Sequence, residues 1–121
     1  MAVRRIVPDL HSADPAASRE FYVEVLGLEV VMDQGWIVTY AAPGGGGGAA
    51  PQISVMGDDA SAPMRPDVSV EVDDVDAVHA RAVRLGYEIV HPLTDESWGV
   101  RRFFVRDRDR DGAVVNVLGH R

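Results

Sequence analysis

The sequence LGLEV at residues 26–30 has a counterpart in the sequence LGYEI at residues 85–89. In both places apolar residues at helical spacing precede the glycine, and a β-type stretch follows it. The glycine is therefore predicted to end a helix, because it readily adopts the left-handed conformation that often follows a last helical turn. Further along each half, ISV at residues 53–55 matches VNV at residues 115–117. A matching order across five elements indicates a duplicated module.

Each half is predicted to contain one helix and four strands in the order β-α-β-β-β. Asp14 is predicted to cap a first helix that ends at Gly27, and Asp73 or Asp74 a second helix that ends at Gly86. The predicted strands cover residues 4–10, 28–32, 36–42 and 52–56 in the first half, and 68–72, 87–90, 99–105 and 113–118 in the second.

The 121 residues and the 46% hydrophobic content are typical of one globular domain. We predict a first module at residues 1–57, a linker at 58–66 and a second module at 67–121, all within one structural domain. Each module is too small to bury its own core, so the modules are expected to pack together or with another chain. No apolar run has membrane-spanning length, and residues 1–10 lack the apolar core of a signal peptide. The sequence therefore predicts a cytoplasmic protein with no membrane partner.

Two missing residue types exclude several kinds of chemistry. The chain has no cysteine, which excludes disulfides, thiolate nucleophiles and cysteine metal sites. It also has no lysine, which excludes Schiff-base catalysis. The formal net charge of -7 argues against nucleic acid as a partner. This charge favours a cationic ligand or serves solubility alone.

Several short motifs together resemble the vicinal oxygen chelate superfamily, which includes glyoxalase I, extradiol dioxygenases, fosfomycin-modifying enzymes and bleomycin-resistance binding proteins. These motifs are DPAASREFY at residues 14–22, VLGL at 25–28, VEVDDVDA at 70–77, WGVR at 98–101 and DRDG at 109–112. The resemblance covers nearly the whole chain. It implies an α+β fold in which tandem βαβββ modules form curved mixed sheets around a cleft. It also implies a homodimer in which subunits exchange modules.

The resemblance further implies four positions where family enzymes hold a divalent metal ion in the cleft. In this sequence these positions fall on Val7, Ser54, Asp67 and Asn116. Valine offers no donor atom, and serine and asparagine are weak neutral ligands, so this set predicts no metal and no cofactor. The four histidines lie away from these positions, and for each a structural role is the more frequent explanation. His91, at a strand end, is nevertheless a candidate to line the cleft.

Two further motifs have simpler explanations than ligand binding. DRDRDG at residues 107–112 matches the opening of a calcium-binding loop, but the closing acidic position falls on Leu118. A solvated hairpin turn is therefore predicted there. The glycine run at residues 44–48 precedes a strand instead of a helix, so it is predicted to be a hairpin loop near the cleft and not a phosphate-binding loop.

Aromatic residues are the remaining candidates for ligand contacts. Alternation places Trp36, Val38 and Tyr40 on one strand face, and the second module offers Trp98, Phe103 and Phe104. A core or dimer-interface role for both tryptophans is an equally good explanation. Of the adjacent Arg101 and Arg102, only one can face the cleft. The predicted ligand-binding residues are Trp36, Tyr40, Ser54, Asp67, His91, Trp98, Arg102, Phe104 and Asn116.

The predicted function is metal-free binding of a small aromatic or cationic molecule, of the resistance or sequestration type, by a homodimer. One alternative is a metal-dependent lyase or dioxygenase with other ligands. Another is a metal-free isomerase or cyclase in which a buried Asp67 acts as general base, since burial raises the pKa of a carboxyl group. A third is a structural or regulatory module with a vestigial cleft.

Overall fold

A computed structural model describes residues 2–44, 50–107 and 112–120 of the chain. The interiors of the predicted glycine loop and of the predicted acidic hairpin turn lie outside the described residues. None of the helical segments in the described residues has the length and apolar content of a membrane-spanning helix.

Eight strands and three short helical segments make up the described structure. The strands are β1 (Val3–His11), β2 (Glu29–Asp33), β3 (Ile37–Ala41), β4 (Gln52–Met56), β5 (Val68–Val72), β6 (Ile89–Asp95), β7 (Val100–Arg106) and β8 (Val114–His120). The helical segments are a 3-10 helix (Pro15–Ser18), a π-helix (Glu20–Val25) and the α-helix α1 (Val75–Arg84).

The chain divides into two compact units. The N-terminal unit is Val7–Arg65, and the C-terminal unit comprises Met1–Ile6 and Pro66–Arg121. Strand β1 therefore contributes its first residues to the C-terminal unit. There the Ala2 backbone N–H donates to Asp73 Oδ1 at 2.8 Å, and this bond holds the pKa of the Asp73 carboxyl below its usual value.

Both units have the same strand topology. In the N-terminal unit the strand order is β2-β3-β4-β1, in which β3 is antiparallel to both of its neighbours and β1 is parallel to β4. In the C-terminal unit the order is β6-β7-β8-β5, with β7 antiparallel to both neighbours and β5 parallel to β8. The predicted α+β fold with tandem βαβββ modules is confirmed.

Helix α1 covers one face of the sheet in the C-terminal unit. Asp74 caps it by accepting a hydrogen bond from the Ala77 backbone N–H at 3.0 Å. The helix is followed by Gly86, whose φ of +80° is a conformation that glycine adopts without steric cost. Val75 is buried against Phe103 of β7 and Val117 of β8, and these residues form the core of this unit.

Asp74→Ala is expected to lower the free energy of unfolding by about 1 kcal/mol, because it removes the side-chain hydrogen bond that caps this helix start. Asp14→Ala is a matched control. Asp14 has nearly the same backbone conformation as Asp74 and precedes the first helical segment, but its side chain makes no capping bond. Its substitution is therefore expected to change the free energy of unfolding by no more than about 0.5 kcal/mol. Urea denaturation measures both, and equal losses would contradict the capping account.

The first helical segment differs from the α-helix that its apolar spacing predicts. The Asp14 side chain makes no capping bond, and the first turn of the segment is a 3-10 helix. The last turns are π-helical, and there the Leu26 N–H donates to the Phe21 carbonyl. Tyr22 from this segment stacks on Tyr40 of β3 at 4.9 Å between ring centroids. The segment therefore covers one face of the N-terminal sheet, as α1 does in the other unit.

Candidate functional site

The face of the C-terminal sheet opposite α1 carries a row of side chains across four strands. Strand register places His91 of β6 beside Phe104 of β7, Phe104 beside Asn116 of β8, and Asn116 beside Ser69 of β5. Their neighbours Phe103 and Val117 point to the other face and pack under α1. We call His91, Phe104, Asn116 and Ser69 the cross-strand row.

Two polar atoms of the cross-strand row are buried without a hydrogen-bond partner in the part of the chain that the structure describes. Asn116 Nδ2 donates to Ser69 Oγ at 3.0 Å, but Asn116 Oδ1 has no donor. His91 Nε2 is also without a partner, and its ring packs at 5.0 Å from Phe104. Buried polar atoms are nearly always paired, because an unpaired one costs stability. These two atoms are therefore able to pair with a bound molecule or with water.

A buried arginine lies next to this row. Arg102 of β7 is 4% exposed, and its Nε donates to Oε2 of Glu96 at 2.6 Å. Arg102 Nη2 contacts the same carboxylate oxygen. The guanidinium carbon lies 5.0 Å from the Trp98 ring centroid and 4.9 Å from that of Phe104. We call Arg102, Glu96, Trp98 and Phe104 the arginine cluster.

Phe104 belongs to both groups and connects them. Glu96 Oε2 lies 3.6 Å from His91 Nε2, which is too long for a hydrogen bond but close enough for a charge interaction when the imidazole is protonated. Phe104 is fully buried, whereas Trp98 is 37% exposed. The C-terminal unit thus places a cation, a carboxylate, an imidazole and an amide around one aromatic ring.

The N-terminal unit has an equivalent row, in which polar side chains bond to one another within the sheet. Register places Asp9 of β1 beside Ser54 of β4, and Ser54 beside Thr39 of β3. All three are buried, and the hydroxyl oxygens of Thr39 and Ser54 lie 2.7 Å apart, within hydrogen-bond distance. Ser54 was a predicted ligand-binding residue, and the structure shows its hydroxyl engaged within the sheet.

Tyr40 does not lie on the face with Ser54, and its hydroxyl is buried without a hydrogen-bond partner among the described residues, so its contact with a ligand stays a prediction. Its side chain is fully buried against Tyr22, with Val38 and Val55 in the same core. The alternation of β3 was predicted correctly, but the helical segment covers the face that carries Tyr40. Trp36 lies in the turn before β3 and is half-buried, and its carbonyl accepts a hydrogen bond from the Gly57 N–H.

The four positions at which the resemblance implies metal ligands do not fit a divalent ion. Val7 is buried and apolar, and the Ser54 hydroxyl pairs with Thr39. Asp67 is exposed, and its Oδ2 accepts the Val114 backbone N–H at 2.9 Å. Asn116 supplies only a neutral amide oxygen. Elsewhere in residues 2–44, 50–107 and 112–120, no group of three His, Asp or Glu residues is placed to hold a metal ion.

The exposure of Asp67 also removes the premise of its predicted catalytic role. A general base at this position required burial of the carboxyl group. The structure instead uses this carboxylate to join the start of β5 to the start of β8.

Five of the nine predicted ligand-binding residues are brought together in the C-terminal unit, namely His91, Trp98, Arg102, Phe104 and Asn116. Glu96 and Ser69 were missed by the sequence reasoning. The signal for Ser69 is its position on the predicted strand 68–72, two residues after Asp67, because residues two apart in extended chain lie on one face. Glu96 follows a strand whose end the sequence did not reveal.

A family model for the Glyoxalase/Bleomycin resistance protein/Dioxygenase superfamily matches residues 6–117. A search of curated proteins found no match. Among solved structures, the chain is similar to an NAD-dependent benzaldehyde dehydrogenase from Legionella pneumophila, with a TM-score of 0.74, 16% identity and coverage of 96% of this chain and 99% of that one. It is also similar to a superfamily member from Vibrio splendidus 12B01, with a TM-score of 0.70, 22% identity and coverage of 98% and 99%.

A third similar structure is the Q60A variant of methylmalonyl-CoA epimerase from Streptomyces coelicolor, in complex with 2-nitronate-propionyl-CoA. Its TM-score is 0.72 at 19% identity, with coverage of 98% of this chain and 99% of that one. At these identities the solved structures support the fold alone, whereas the family model covers nearly the whole sequence. The chain therefore belongs to the glyoxalase/bleomycin resistance protein/dioxygenase superfamily, the same vicinal oxygen chelate superfamily that its motifs resemble.

Proposed function

We propose that this protein binds a small aromatic molecule at the cross-strand row of its C-terminal unit, without a metal ion, as a sequestering or resistance protein does. The observation that carries the proposal is a pair of buried atoms on either side of Phe104, His91 Nε2 and Asn116 Oδ1, which have no hydrogen-bond partner among the described residues. An aromatic body over Phe104 with polar groups at its two ends would satisfy both atoms.

The chemistry of the row defines the ligand's polar groups. Asn116 Oδ1 only accepts, so the ligand presents a donor to it. His91 Nε2 donates or accepts according to its tautomer and protonation state. Because both atoms are buried, binding requires the side chains above them to move. Trp98 is the most exposed member of the adjoining arginine cluster, so the proposed entrance lies on its side.

The other predicted functions have less support from this geometry. A metal-dependent lyase or dioxygenase lacks a suitable donor set at the four positions above. An isomerase with Asp67 as base lacks a buried carboxyl group there. A cationic ligand would approach the buried Arg102 guanidinium, which disfavours it.

The test compares the same substitution on the two faces of one sheet. His91→Leu is expected to weaken binding of aromatic fragments at least about tenfold, because it removes one unpartnered atom that the ligand satisfies. His79→Leu is the control, because His79 lies on α1 and packs against Phe103 on the opposite face. It is expected to change affinity less than about twofold. Fragments that raise the melting temperature of the wild type are selected, and calorimetry measures their dissociation constants.

The stability of His91→Leu provides a second readout. Replacing a buried, unpartnered polar group by an apolar one of similar size is expected to leave the free energy of unfolding unchanged or to raise it. Lost binding with retained stability would show that the histidine serves a ligand. If no fragment binds the wild type, or if His91→Leu binds as tightly as His79→Leu, the proposal is wrong.

A further inference from the structure

We propose that the N-terminal unit binds a small phosphate monoester in a polar cleft at the carboxyl ends of β1 and β4. The cleft, which we call the strand-end cleft, has a volume of about 360 Å³. It is lined by His11, Ser12, Ala13, Gly57, Asp58 and Arg65. All six residues belong to the N-terminal unit, so this inference does not rest on the function proposed for the C-terminal unit.

The strand topology places the strand-end cleft where two loops leave the sheet. Strands β1 and β4 are parallel neighbours, and His11 lies beside Met56. The Ser12 N–H then donates to the Met56 carbonyl at 2.8 Å, and the Gly57 N–H donates to the Trp36 carbonyl at 2.7 Å. These bonds fix the first residue of each loop. Residues that bind ligands commonly lie on such loops, because a rigid sheet positions them.

Arg65 is the main hydrogen-bond donor of the strand-end cleft. Its side chain is 33% exposed, and its Nε lies 3.9 Å from Asp58 Oδ1, which is too long for a hydrogen bond. Within residues 2–44, 50–107 and 112–120, the Arg65 guanidinium makes no hydrogen bond. Its N–H groups are therefore available to an anion, and the planar guanidinium matches phosphate oxygens with parallel bonds.

The loop after β1 supplies a second donor. Ser12 Oγ accepts the Asp14 backbone N–H at 3.1 Å, and this bond orients the hydroxyl group without using its proton. The hydroxyl can therefore donate to an oxygen atom of a ligand. His11 is exposed at the end of β1 and adds a positive charge when its imidazole is protonated. The strand-end cleft thus combines a guanidinium, a hydroxyl donor and an imidazole.

One carboxylate in the strand-end cleft opposes the binding of an anion. The Asp58 side chain is fully exposed, so water and salt screen its charge and its attraction to Arg65 is weak. The next carboxylate, Asp59, does not line the cleft. Its Oδ1 accepts the backbone N–H and the hydroxyl of Ser61, at 2.9 and 2.5 Å. The arginine therefore faces only one screened carboxylate within the cleft.

The arrangement of donors favours a phosphate monoester over a carboxylate. A terminal phosphate has three strong acceptor oxygens, so it can accept from Arg65 and Ser12 together. A carboxylate has two oxygens, and the guanidinium fork alone occupies both. The volume of the cleft lies near the lower end of the range for small-molecule sites, about 300–1,000 Å³. The cleft therefore has room for a short organic group beside the phosphate.

The experiment compares glycerol 3-phosphate with glycerate, which carry a phosphate or a carboxylate on a similar short polar body. Calorimetry on the wild type is expected to show at least about tenfold tighter binding of glycerol 3-phosphate. Arg65→Gln is expected to weaken this binding at least about tenfold, because it removes the cation. Ser12→Ala is expected to weaken it about threefold or more without any change of charge.

Arg19→Gln is the matched control, because it removes the same charge from the same unit. Arg19 pairs with Asp33 at 3.0 Å and does not line the strand-end cleft. Its substitution is expected to leave the affinity within about twofold of the wild type. Asp58→Asn removes the opposing charge at an exposed position and is expected to tighten binding about threefold. A misfolded variant could not produce such a gain.

Each outcome bears on this proposal separately from the proposed function. Failure of the wild type to bind glycerol 3-phosphate, or equal losses in Arg65→Gln and Arg19→Gln, would overturn the proposal. Glycerate that binds as tightly as glycerol 3-phosphate would contradict the phosphate assignment, and weaker binding in Asp58→Asn would contradict the role of Arg65. His91→Leu, which tests the C-terminal unit, is expected to leave the affinity for glycerol 3-phosphate within about twofold of the wild type.

Discussion

Arg102→Met is expected to lower the free energy of unfolding by about 3–5 kcal/mol, because it leaves the Glu96 carboxylate buried without its cation. Arg102 is 4% exposed and Glu96 is 6% exposed, so water compensates neither charge. Methionine retains much of the contact with Trp98 and Phe104, so the loss of stability would come mainly from the missing positive charge. Urea denaturation of wild type and variant measures the difference.

The double variant Arg102→Met/Glu96→Leu distinguishes charge from packing. Replacing both members of a buried ion pair by apolar residues of similar volume is often neutral or stabilising, so the double variant is expected to recover most of the lost stability. Arg101→Met is the control at the neighbouring position, where the arginine makes exposed bonds to Asp76 and Asp95. Its effect is expected to be much smaller. If Arg101→Met and Arg102→Met are equally mild, Arg102 and Glu96 are not a buried pair in solution.

Phe103→Ala is expected to lower the free energy of unfolding by about 3–5 kcal/mol, because it opens a cavity in the core of the C-terminal unit. The Phe103 side chain is fully buried between α1 and the sheet, where it contacts Val75 and Val117. Its neighbour Phe104 points to the opposite face, as strand alternation requires.

Phe21→Ala is the control for this prediction. Phe21 lies on the π-helix of the other unit and is 51% exposed. Its truncation is expected to cost less than about 1 kcal/mol. Guanidinium denaturation followed by circular dichroism measures both variants, and a similar cost for the two would contradict the assignment of the core to the Phe103 face.

The order of the elements could be predicted from sequence because local chemistry determines it. Gly86 adopts the left-handed conformation that a helix end requires, and Asp74, one of the two predicted capping residues, caps the helix that begins at Val75. Residues 52–56 and 68–72 are strands with the predicted bounds. Each of these features depends on residues within one turn or one strand, so a single sequence is sufficient to show it.

The face that carries the candidate site could not be predicted with the same ease. Alternation shows that Thr39 and Tyr40 point to opposite sides of β3, but it does not say which side a helix covers. The sequence predicts ligand contacts from aromatic residues, whereas Tyr40 lies in the core under the helical segment. A comparison of the two faces across all paired strands distinguishes them, because the buried polar residues lie together on the face opposite the helix. Asp9, Ser54 and Thr39 are such residues.

Glu96 was missed because β6 extends beyond its predicted end at residue 90. Pro92 lies within the strand, and proline usually argues against strand structure because it lacks a backbone N–H. Here β6 is an edge strand whose pairing with β7 shifts register between His91 and Thr94, and such irregular edges accept proline. The longer strand brings Glu96 to the hairpin turn, where its carboxylate reaches Arg102. No local sequence pattern reveals this contact.

Native mass spectrometry tests the central claim most directly, that this chain binds an aromatic ligand at its C-terminal unit without a metal ion. The purified protein is measured in chelator and after addition of zinc, nickel or iron(II), each with and without the tightest-binding aromatic fragment selected by thermal shift. The same spectra report whether the protein is a homodimer, which remains a prediction of the sequence. We expect one fragment molecule per chain in chelator, no stoichiometric metal under any condition, and loss of the bound fragment in His91→Leu. One metal ion per chain, with the fragment bound only when that ion is present, would contradict this account.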